Sequence, residues 1–374
     1  MTRIVGIMFA SLTLLALGLM IVMSASNTFS SISNGDPFYL FYKQLVFVAV
    51  GVVFLFVFAV IPYQIYKKVS IYLLIAGILM LFLTLFVEQE VKGARRSIDL
   101  MIFSFQPVEF VKLALFIHLC AMIEKMGDRI KSFEKGIVFI LIWLGIVLVI
   151  LLLQPNFSSI IMLSGLTFLL LFLAGTRLKH LAAMGLSVFV AAGFLGYFFL
   201  GHVATRFDRY FNWLFGDGRP HSQIEQAIVA LGTGSWQGIG FGGSRQKNLF
   251  LSEAHSDFIF AVLGEETGLI GTLVVLSFYL LIFIFGMIIA KNAKDKFGKL
   301  LGSMISLTII FYTFVNVAVT VGIFPTTGFA LPLMSYGGSA IVMTCISLGI
   351  LMNIGFSAYK EAPIQENVLN EGAK

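Results

Sequence analysis

Residues 137–153 read IVFILIWLGIVLVILLL, a run with no charged, amide or hydroxyl side chain. A helix at a water-facing surface keeps its apolar residues on one stripe, whereas this run is apolar on every side, as befits a helix surrounded by lipid or protein. A bilayer core of about 30 Å takes about 20 such residues. Comparable stretches recur at 4–24, 42–61, 69–87, 107–125, 158–175, 180–201, 268–290, 300–323 and 339–358. Together they predict an all-α polytopic membrane protein with about ten transmembrane helices. The first run has the flanks of a signal peptide, Arg3 before it and Ser24-Ala25-Ser26 after it. It exceeds the usual length of such a segment and nine spans follow, so it reads as a retained signal-anchor.

Composition agrees. Of 374 residues, 59% are hydrophobic and 12% charged, against roughly 25% charged in soluble domains. That excludes a soluble multi-domain enzyme, and equally a disordered chain, which needs low hydrophobicity and high charge. The 39 Phe and 36 Gly suit packed membrane helices. Cys120 and Cys345 lie inside apolar runs and form neither a disulfide framework nor a metal spacing.

The net charge of +6 speaks to topology rather than to nucleic acid. With the N-terminus inside, fifteen Lys and Arg fall in cytoplasmic segments and nine outside, and Lys112 lies within a span. The excess of cations marks the cytoplasmic side, so both termini are expected there. One integral membrane domain covers 1–360, and 361–374 form a cytoplasmic tail. A large extracytoplasmic loop, 202–256, joins spans seven and eight.

Eight of the nine outer cations sit in two loops, 88–106 and 202–256. The second is far longer than ordinary connections, which points to function. Within it, 203–215 reads as an amphipathic interfacial helix. Residues 222–231 read as a short helix with Ser222 as N-cap and Glu225 completing a capping box. The glycine tract 232–243 follows no strand and opens no βαβ unit, so it reads as a folded loop rather than a nucleotide site.

The run 258–263 is too short to span and reads as a half-helix at the outer face, capped by Ser256. Asp257 then stands at its N-terminus, at the edge of the lipid phase, where an ionisable residue is a functional candidate. The helix dipole favours its carboxylate and desolvation its acid, a balance that suits a general base. Capping alone is the competing role. Glu265 and Glu266 lie eight and nine residues further along, about 12–13 Å of helical rise. That is too far for a paired acid and base, so they are expected to serve the join to the next span. In the fourth span, Glu109 and Lys112 share a face at i, i+3, and a charge at that depth calls for an internal ion pair. The loop 324–339 has two prolines and three glycines. Non-helical backbone near membrane depth persists where it is buried in protein or lines a wet cavity, so this loop is a candidate cavity wall. Of the five histidines, only His255 lies among other polar groups in a promising loop.

Lys92-Gly-Ala-Arg95-Arg96, Gln106-Pro107-Val-Glu109-Phe-Val-Lys112, Gln154-Pro155, Glu253-Ala-His255-Ser-Asp257-Phe-Ile-Phe-Ala, Gly264-Glu265-Glu266 and Ser335-Tyr336-Gly337-Gly338-Ser339 occur in this order along the chain. With them the sequence resembles the SEDS family of bacterial cell-wall membrane proteins, FtsW, RodA and the sporulation paralogue SpoVE. Ser244-Arg-Gln246-Lys247 and Glu253-Ala-His255 resemble the FtsW branch more than the RodA branch. Asn156 departs from the aspartate usual after Gln-Pro, Ser97 from a common aromatic, and Ser252 and Ser256 from a common Pro and Thr.

The resemblance implies a peptidoglycan glycosyltransferase of the bacterial cytoplasmic membrane that polymerises lipid II at the outer face. It implies Asp257 as catalytic base, with Lys92, Arg95, Arg96, Arg245, Lys247, His255 and Ser335 as the substrate-binding set. Glu109 and Lys112 would be a structural ion pair. No protein metal cage is expected, although a divalent Mg or Mn ion could bridge Asp257 and the substrate pyrophosphate. A class B penicillin-binding transpeptidase of the FtsI type and other divisome proteins are the implied partners. The alternatives are a lipid II flippase, an elongation or sporulation paralogue, and a non-enzymatic scaffold.

Overall fold

A computed structural model of the chain describes residues 1–86, 98–99, 104–185, 201–216, 218, 220–247, 251 and 253–371. Among them the helices are α1 (Thr2–Asn34), α2 (Tyr39–Val60), α3 (Gln64–Leu83), α4 (Pro107–Met126), α5 (Val138–Leu153), α6 (Phe157–Leu173), α7 (Gly201–Phe215), α8 (Ser222–Gly234), α9 (Ile259–Lys291), α10 (Lys296–Thr320) and α11 (Gly338–Glu371). A two-residue antiparallel pair, β1 (Ile98–Asp99) with β2 (Ser104–Phe105), precedes α4. The fold is all-helical, as the apolar runs predict. Among the described residues, seven helical stretches are long and apolar enough to cross a membrane: α1, α2, Gln64–Phe86 (α3 with the turn after it), Phe133–Leu153 (α5 with the π-helical turn before it), α9, α10 and α11 through Tyr359. The expected fourth span, α4, carries Glu109, Lys112, Glu124 and Lys125 in its 20 residues, and α6 has only 17. Most of the expected seventh span, 186–200, lies outside the described residues.

Two helices differ from their expected bounds for tertiary reasons. α1 runs ten residues past the expected end at 24, through a polar Ser/Asn-rich segment. That extension is held from outside: Ser24 donates to Glu266, and Phe29 stacks on His255 with ring centroids 5.1 Å apart. It stops where Gly35, at φ 73°, donates its N–H to the Ser31 carbonyl, a glycine C-terminal stop.

The half-helix and the eighth span form one element, α9, broken at Gly268 (φ 68°, ψ −169°). The break frees backbone groups, and the glycine tract satisfies them. Glu265 and Glu266 carbonyls accept from Ile239 and Gly240 N–H, both at 3.0 Å. Leu269 and Ile270 N–H donate to the Ser235 and Trp236 carbonyls at 2.9 and 3.2 Å. The tract is therefore the partner of a broken helix.

Cap chemistry differs from expectation at two places. α8 is capped by His221, whose Nδ1 accepts from Gln223 N–H at 3.3 Å, and Ser222 is its first helical residue, so the expected capping box does not form. Ser256 does not cap α9; its hydroxyl donates to Glu253, and the N-cap position is Phe258.

Helix α2 packs along α11, α3 along α4, and α9 between α1 and α10. The loop 324–337 enters this bundle. Leu331, Leu333, Met334 and Ser335 are buried, and Gly18, midway along α1, lies so close that an added Cβ would stand 2.6 Å from Met334 Cα. Tyr279 of α9 donates its phenol O–H to the Pro332 carbonyl. Irregular backbone thus reaches the level of the middle of α1 while enclosed by protein, the condition for its survival there.

Gly268→Ala tests the break. A Cβ there would lie 2.4 Å from Gly238 N and 2.5 Å from the Trp236 carbonyl oxygen, in a backbone region open to glycine. The substitution is expected to destabilise by about 1–3 kcal/mol, read as a lowered unfolding midpoint of the detergent-purified protein. An unchanged midpoint would contradict this account of the break.

Candidate active site

Asp257 lies in the turn 253–258 that leads into α9, two residues before the first helical residue. Its backbone is held from three directions. The His255 carbonyl accepts from Tyr336 N–H at 2.9 Å. The Ser256 carbonyl accepts from Ser335 Oγ at 2.6 Å. The Asp257 carbonyl accepts from Asn316 Nδ2 at 2.8 Å, and the same amide donates to the Phe329 carbonyl at 2.7 Å. Three consecutive carbonyls are fixed by α10 and the entering loop. The Asp257 side chain is left facing a cavity of about 500 Å³.

The cavity is enclosed by α2, α4, α10, α11, the start of α6, the turn 253–258 and the loop 324–337. Its charged lining among the described residues is Lys43, Glu109, Lys112, Glu253 and Asp257, with Gln106, Asn156 and His255 as polar neighbours. Gly328, at φ 76°, passes beside the carboxylate; a Cβ there would be 3.6 Å from Asp257 Oδ2. Glu253 holds a left-handed backbone conformation, φ 75°, rare for a residue with a side chain. Such strain persists where surrounding contacts enforce it, and here the Glu253 carbonyl accepts from both Ser256 and Phe258 N–H.

The expected ion pair is present. Lys112 Nζ lies 2.6 Å from Glu109 Oε2, with both side chains largely buried, and 4.2 Å from the Tyr312 ring centroid. The pair and its cation–π contact join α4 to α10 at the cavity floor.

The expected substrate-binding residues divide. His255 lines the cavity, between Phe29 and Tyr336. Ser335 does not line it. It is buried, donating to Ser256 and accepting from Leu331 N–H at 2.7 Å, so it positions the turn instead of facing substrate. Lys247 is drawn into the fold: its ammonium lies 3.1 Å from Glu266 Oε1, 2.6 Å from Ser24 Oγ and 2.9 Å from the Gly242 carbonyl, and uses its three donors there. Arg245 is exposed and does not line the cavity; its N–H donates to Glu265 at 3.1 Å. Lys92, Arg95 and Arg96 lie outside the described residues. Glu265 and Glu266 are fully buried, clamp the segment 244–247 onto the half-helix and take no part in the cavity.

Sequence reasoning missed Lys43, Gln44 and Asn316. Gln44 is fully buried in α2 and donates to the Ser335 carbonyl at 3.0 Å. A buried amide within an apolar helix was the available signal, since such a group needs a partner. Asn156 lines the cavity and caps α6 through Ser159 N–H, so the departure from the family's aspartate removes a carboxylate from the wall itself. Among the described residues no three His, Cys, Asp or Glu side chains gather as a metal cage. A divalent ion beside Asp257 would draw its remaining ligands from phosphate oxygens and water.

The protein is thus a membrane-helix bundle whose irregular segments, the turn 253–258 and the loop 324–337, bring Glu253 and Asp257 to one cavity. The family model described as cell cycle protein, FtsW/RodA/SpoVE, matches residues 5–360, and the chain belongs to that family. It is 37% identical over 356 residues to the "Probable peptidoglycan glycosyltransferase FtsW" of Trichlorobacter lovleyi, covering 94% of this chain and 92% of that one. It is 34% identical to the protein of the same description from Coxiella burnetii, covering 94% and 95%. Its fold matches a chain of a peptidoglycan synthase complex, solved for the structural coordination of polymerization and crosslinking, with TM-score 0.74, 25% identity and coverage of 95% and 98%. The rod shape determining protein RodA of Thermus thermophilus matches with TM-score 0.70, 25% identity and coverage of 95% and 97%.

Two predictions test this geometry. Lys112→Met alone leaves Glu109 as an unpaired buried charge and is expected to destabilise by about 3–5 kcal/mol. The double variant Glu109→Gln/Lys112→Met should recover much of that loss, as read by thermal unfolding, and a double variant no better than the single one would contradict the pairing. Ser335→Ala leaves the Ser256 carbonyl and Leu331 N–H without their partner. It is expected to destabilise by about 1–3 kcal/mol and to slow turnover while substrate KM changes little. A raised KM at unchanged kcat and stability would return Ser335 to a substrate-facing role.

Proposed function

We propose that the protein is a peptidoglycan glycosyltransferase that polymerises lipid II at the outer face of the bacterial cytoplasmic membrane. The observation that carries this reading is Asp257. It is an ionisable side chain with a rigidly held backbone, turned into a cavity within a membrane-helix bundle, in a chain whose relatives are described as peptidoglycan glycosyltransferases. On this reading the chain crosses the membrane ten times with both termini in the cytoplasm, and it works at the division septum, as its FtsW-described relatives suggest.

The reaction needs little from the protein beyond a base, orientation and positive charge. Asp257 accepts the proton of the acceptor sugar hydroxyl as its oxygen bonds to the donor's anomeric carbon. The bond from that carbon to the pyrophosphate oxygen breaks, and its electron pair leaves on the lipid pyrophosphate. Pyrophosphate is stable as an anion, so no second carboxylate is required as acid. This suits a cavity in which Glu109 is held by Lys112 and the pair Glu265 and Glu266 is elsewhere. Similarity to a chain of a complex that coordinates polymerization with crosslinking supports a class B penicillin-binding transpeptidase as partner.

The test is the purified protein with its transpeptidase partner and lipid II, comparing wild type with Asp257→Ala. Glycan polymer is expected from the wild type. The variant should show at least a 100-fold loss, the scale set by removing a general base, with unchanged expression and unfolding midpoint. Full polymerisation by Asp257→Ala would sink the assignment of the base. Lipid II translocation without polymer from the wild type would favour a flippase.

A further inference from the structure

The geometry points to Lys43 as the residue that binds the pyrophosphate of the lipid-linked donor and stabilises it as it leaves; this rests on the glycosyltransferase reading above. Of the outer cations expected from the sequence to bind substrate, the two described ones do not line the cavity. Lys247 is held by Glu266, and Arg245 lies outside the lining. Among the described residues two cations line the cavity, Lys43 and Lys112. Lys112 is neutralised by Glu109 at 2.6 Å and lies against Tyr312. Lys43 shares the described lining with the carboxylates of Glu253 and Asp257. An anionic leaving group entering such a wall binds where the cation is, and in a site shielded from water that interaction is stronger than at a surface.

Lys43 is also preorganised. It lies near the start of α2, the end that opens on the cavity, with its ammonium 4.6 Å from the Tyr39 ring centroid one turn earlier. Its neighbour Gln44 fixes that turn of α2 to the entering loop through the Ser335 carbonyl at 3.0 Å and Gly337 N–H at 3.4 Å. Ser335 in turn holds the carbonyl before Asp257. Base and cation are therefore fixed to one loop from its two sides, so that a donor whose phosphate meets Lys43 is placed with respect to Asp257. In the step itself the electron pair of the breaking carbon–oxygen bond moves to the phosphate oxygen, and the Lys43 ammonium stabilises the charge that develops there. Lys43 keeps its proton throughout, and the acceptor's proton goes to Asp257.

The test uses full-length protein with its transpeptidase partner in lipid nanodiscs, as wild type, Lys43→Gln and Lys43→Arg. Polymerisation is measured against lipid II concentration. Binding of undecaprenyl pyrophosphate and of undecaprenol, which lacks phosphate, is measured separately by native mass spectrometry. Lys43→Gln is expected to lower kcat/KM and to weaken undecaprenyl pyrophosphate binding by about tenfold or more, the scale of a lost charge-assisted hydrogen bond. Undecaprenol binding should stay unchanged, and Lys43→Arg should restore most of both losses. Lys43→Met, which keeps the stem against Tyr39, takes the same role if glutamine impairs folding. Wild-type polymerisation with unaltered pyrophosphate binding and turnover in Lys43→Gln and Lys43→Met would overturn the assignment and leave the glycosyltransferase reading intact. A wild type that forms no polymer yet loses pyrophosphate affinity on Lys43→Gln would overturn that reading and leave Lys43 as a lipid pyrophosphate site.

Discussion

Three consecutive carbonyls, those of His255, Ser256 and Asp257, are each tied to a donor distant in sequence: Tyr336 N–H, Ser335 Oγ and the Asn316 amide. This set of hydrogen bonds is the constraint on which the site depends. An unpaired backbone carbonyl inside a membrane bundle costs several kcal/mol, so a turn there persists only if its partners are built in. The partners come from a second irregular segment, 324–337, which has the same need. Asn316 serves both, donating one N–H to Asp257 and the other to Phe329. Each segment thus supplies what the other lacks, and the aspartate is held between them.

The same reasoning accounts for the other irregularity. Breaking α9 at Gly268 exposes two carbonyls and two N–H groups, and the segment 235–240 pairs with all four. The adjoining residues 244–247 are then clamped by Glu265 and by Glu266, the latter through Lys247. A buried ion pair contributes little net stability against a hydrophobic replacement, because desolvation offsets its attraction. What Glu266 and Lys247 supply is position: they tie the segment 244–247, α1 through Ser24, and the half-helix together. The half-helix is the element that starts at Asp257, so its orientation is set from both ends.

Legibility from sequence followed the range of the interaction. The apolar runs were readable because lipid imposes its demand on each residue separately, and most runs reappear as helices within a few residues. Glu109 and Lys112 were readable because three residues along a helix is a contact. Asp257 stood out because an ionisable group at the lipid edge is a functional candidate, and it does line the cavity. Ser335 was misread because its partners, Ser256 and Leu331, are revealed only when the loop folds onto the turn, and a serine in a glycine-rich loop looks equally suited to a substrate. Lys247 was misread for the same reason: its charge was visible, but its counter-ion Glu266 lies in the half-helix and meets it only when the loop folds back. Asn316 and Gln44 left a weaker trace, single amides in apolar helices, and their meaning appears only when the acceptors are in place.

The separation of carboxylates decides what chemistry the cavity can perform. Glu265 and Glu266 accept hydrogen bonds from Ser244, backbone N–H groups, Ser24 and Lys247, and do not line the cavity. Glu109 is held by Lys112. Glu253 lines the wall four residues before Asp257, its carboxylate accepting from Ser256 and its backbone strained into the turn. Hydrolytic enzymes that cleave sugar–sugar bonds need an acid to protonate a poor alkoxide leaving group and a second carboxylate opposite. Here Asp257 and Glu253 line one wall of a cavity that also carries Lys43, and on the proposed reading Asp257 alone serves as base. That arrangement suits a leaving group that departs as an anion in its own right. The geometry therefore fits the proposed reaction of a phosphate-activated donor, whose own free energy drives synthesis of the glycosidic bond.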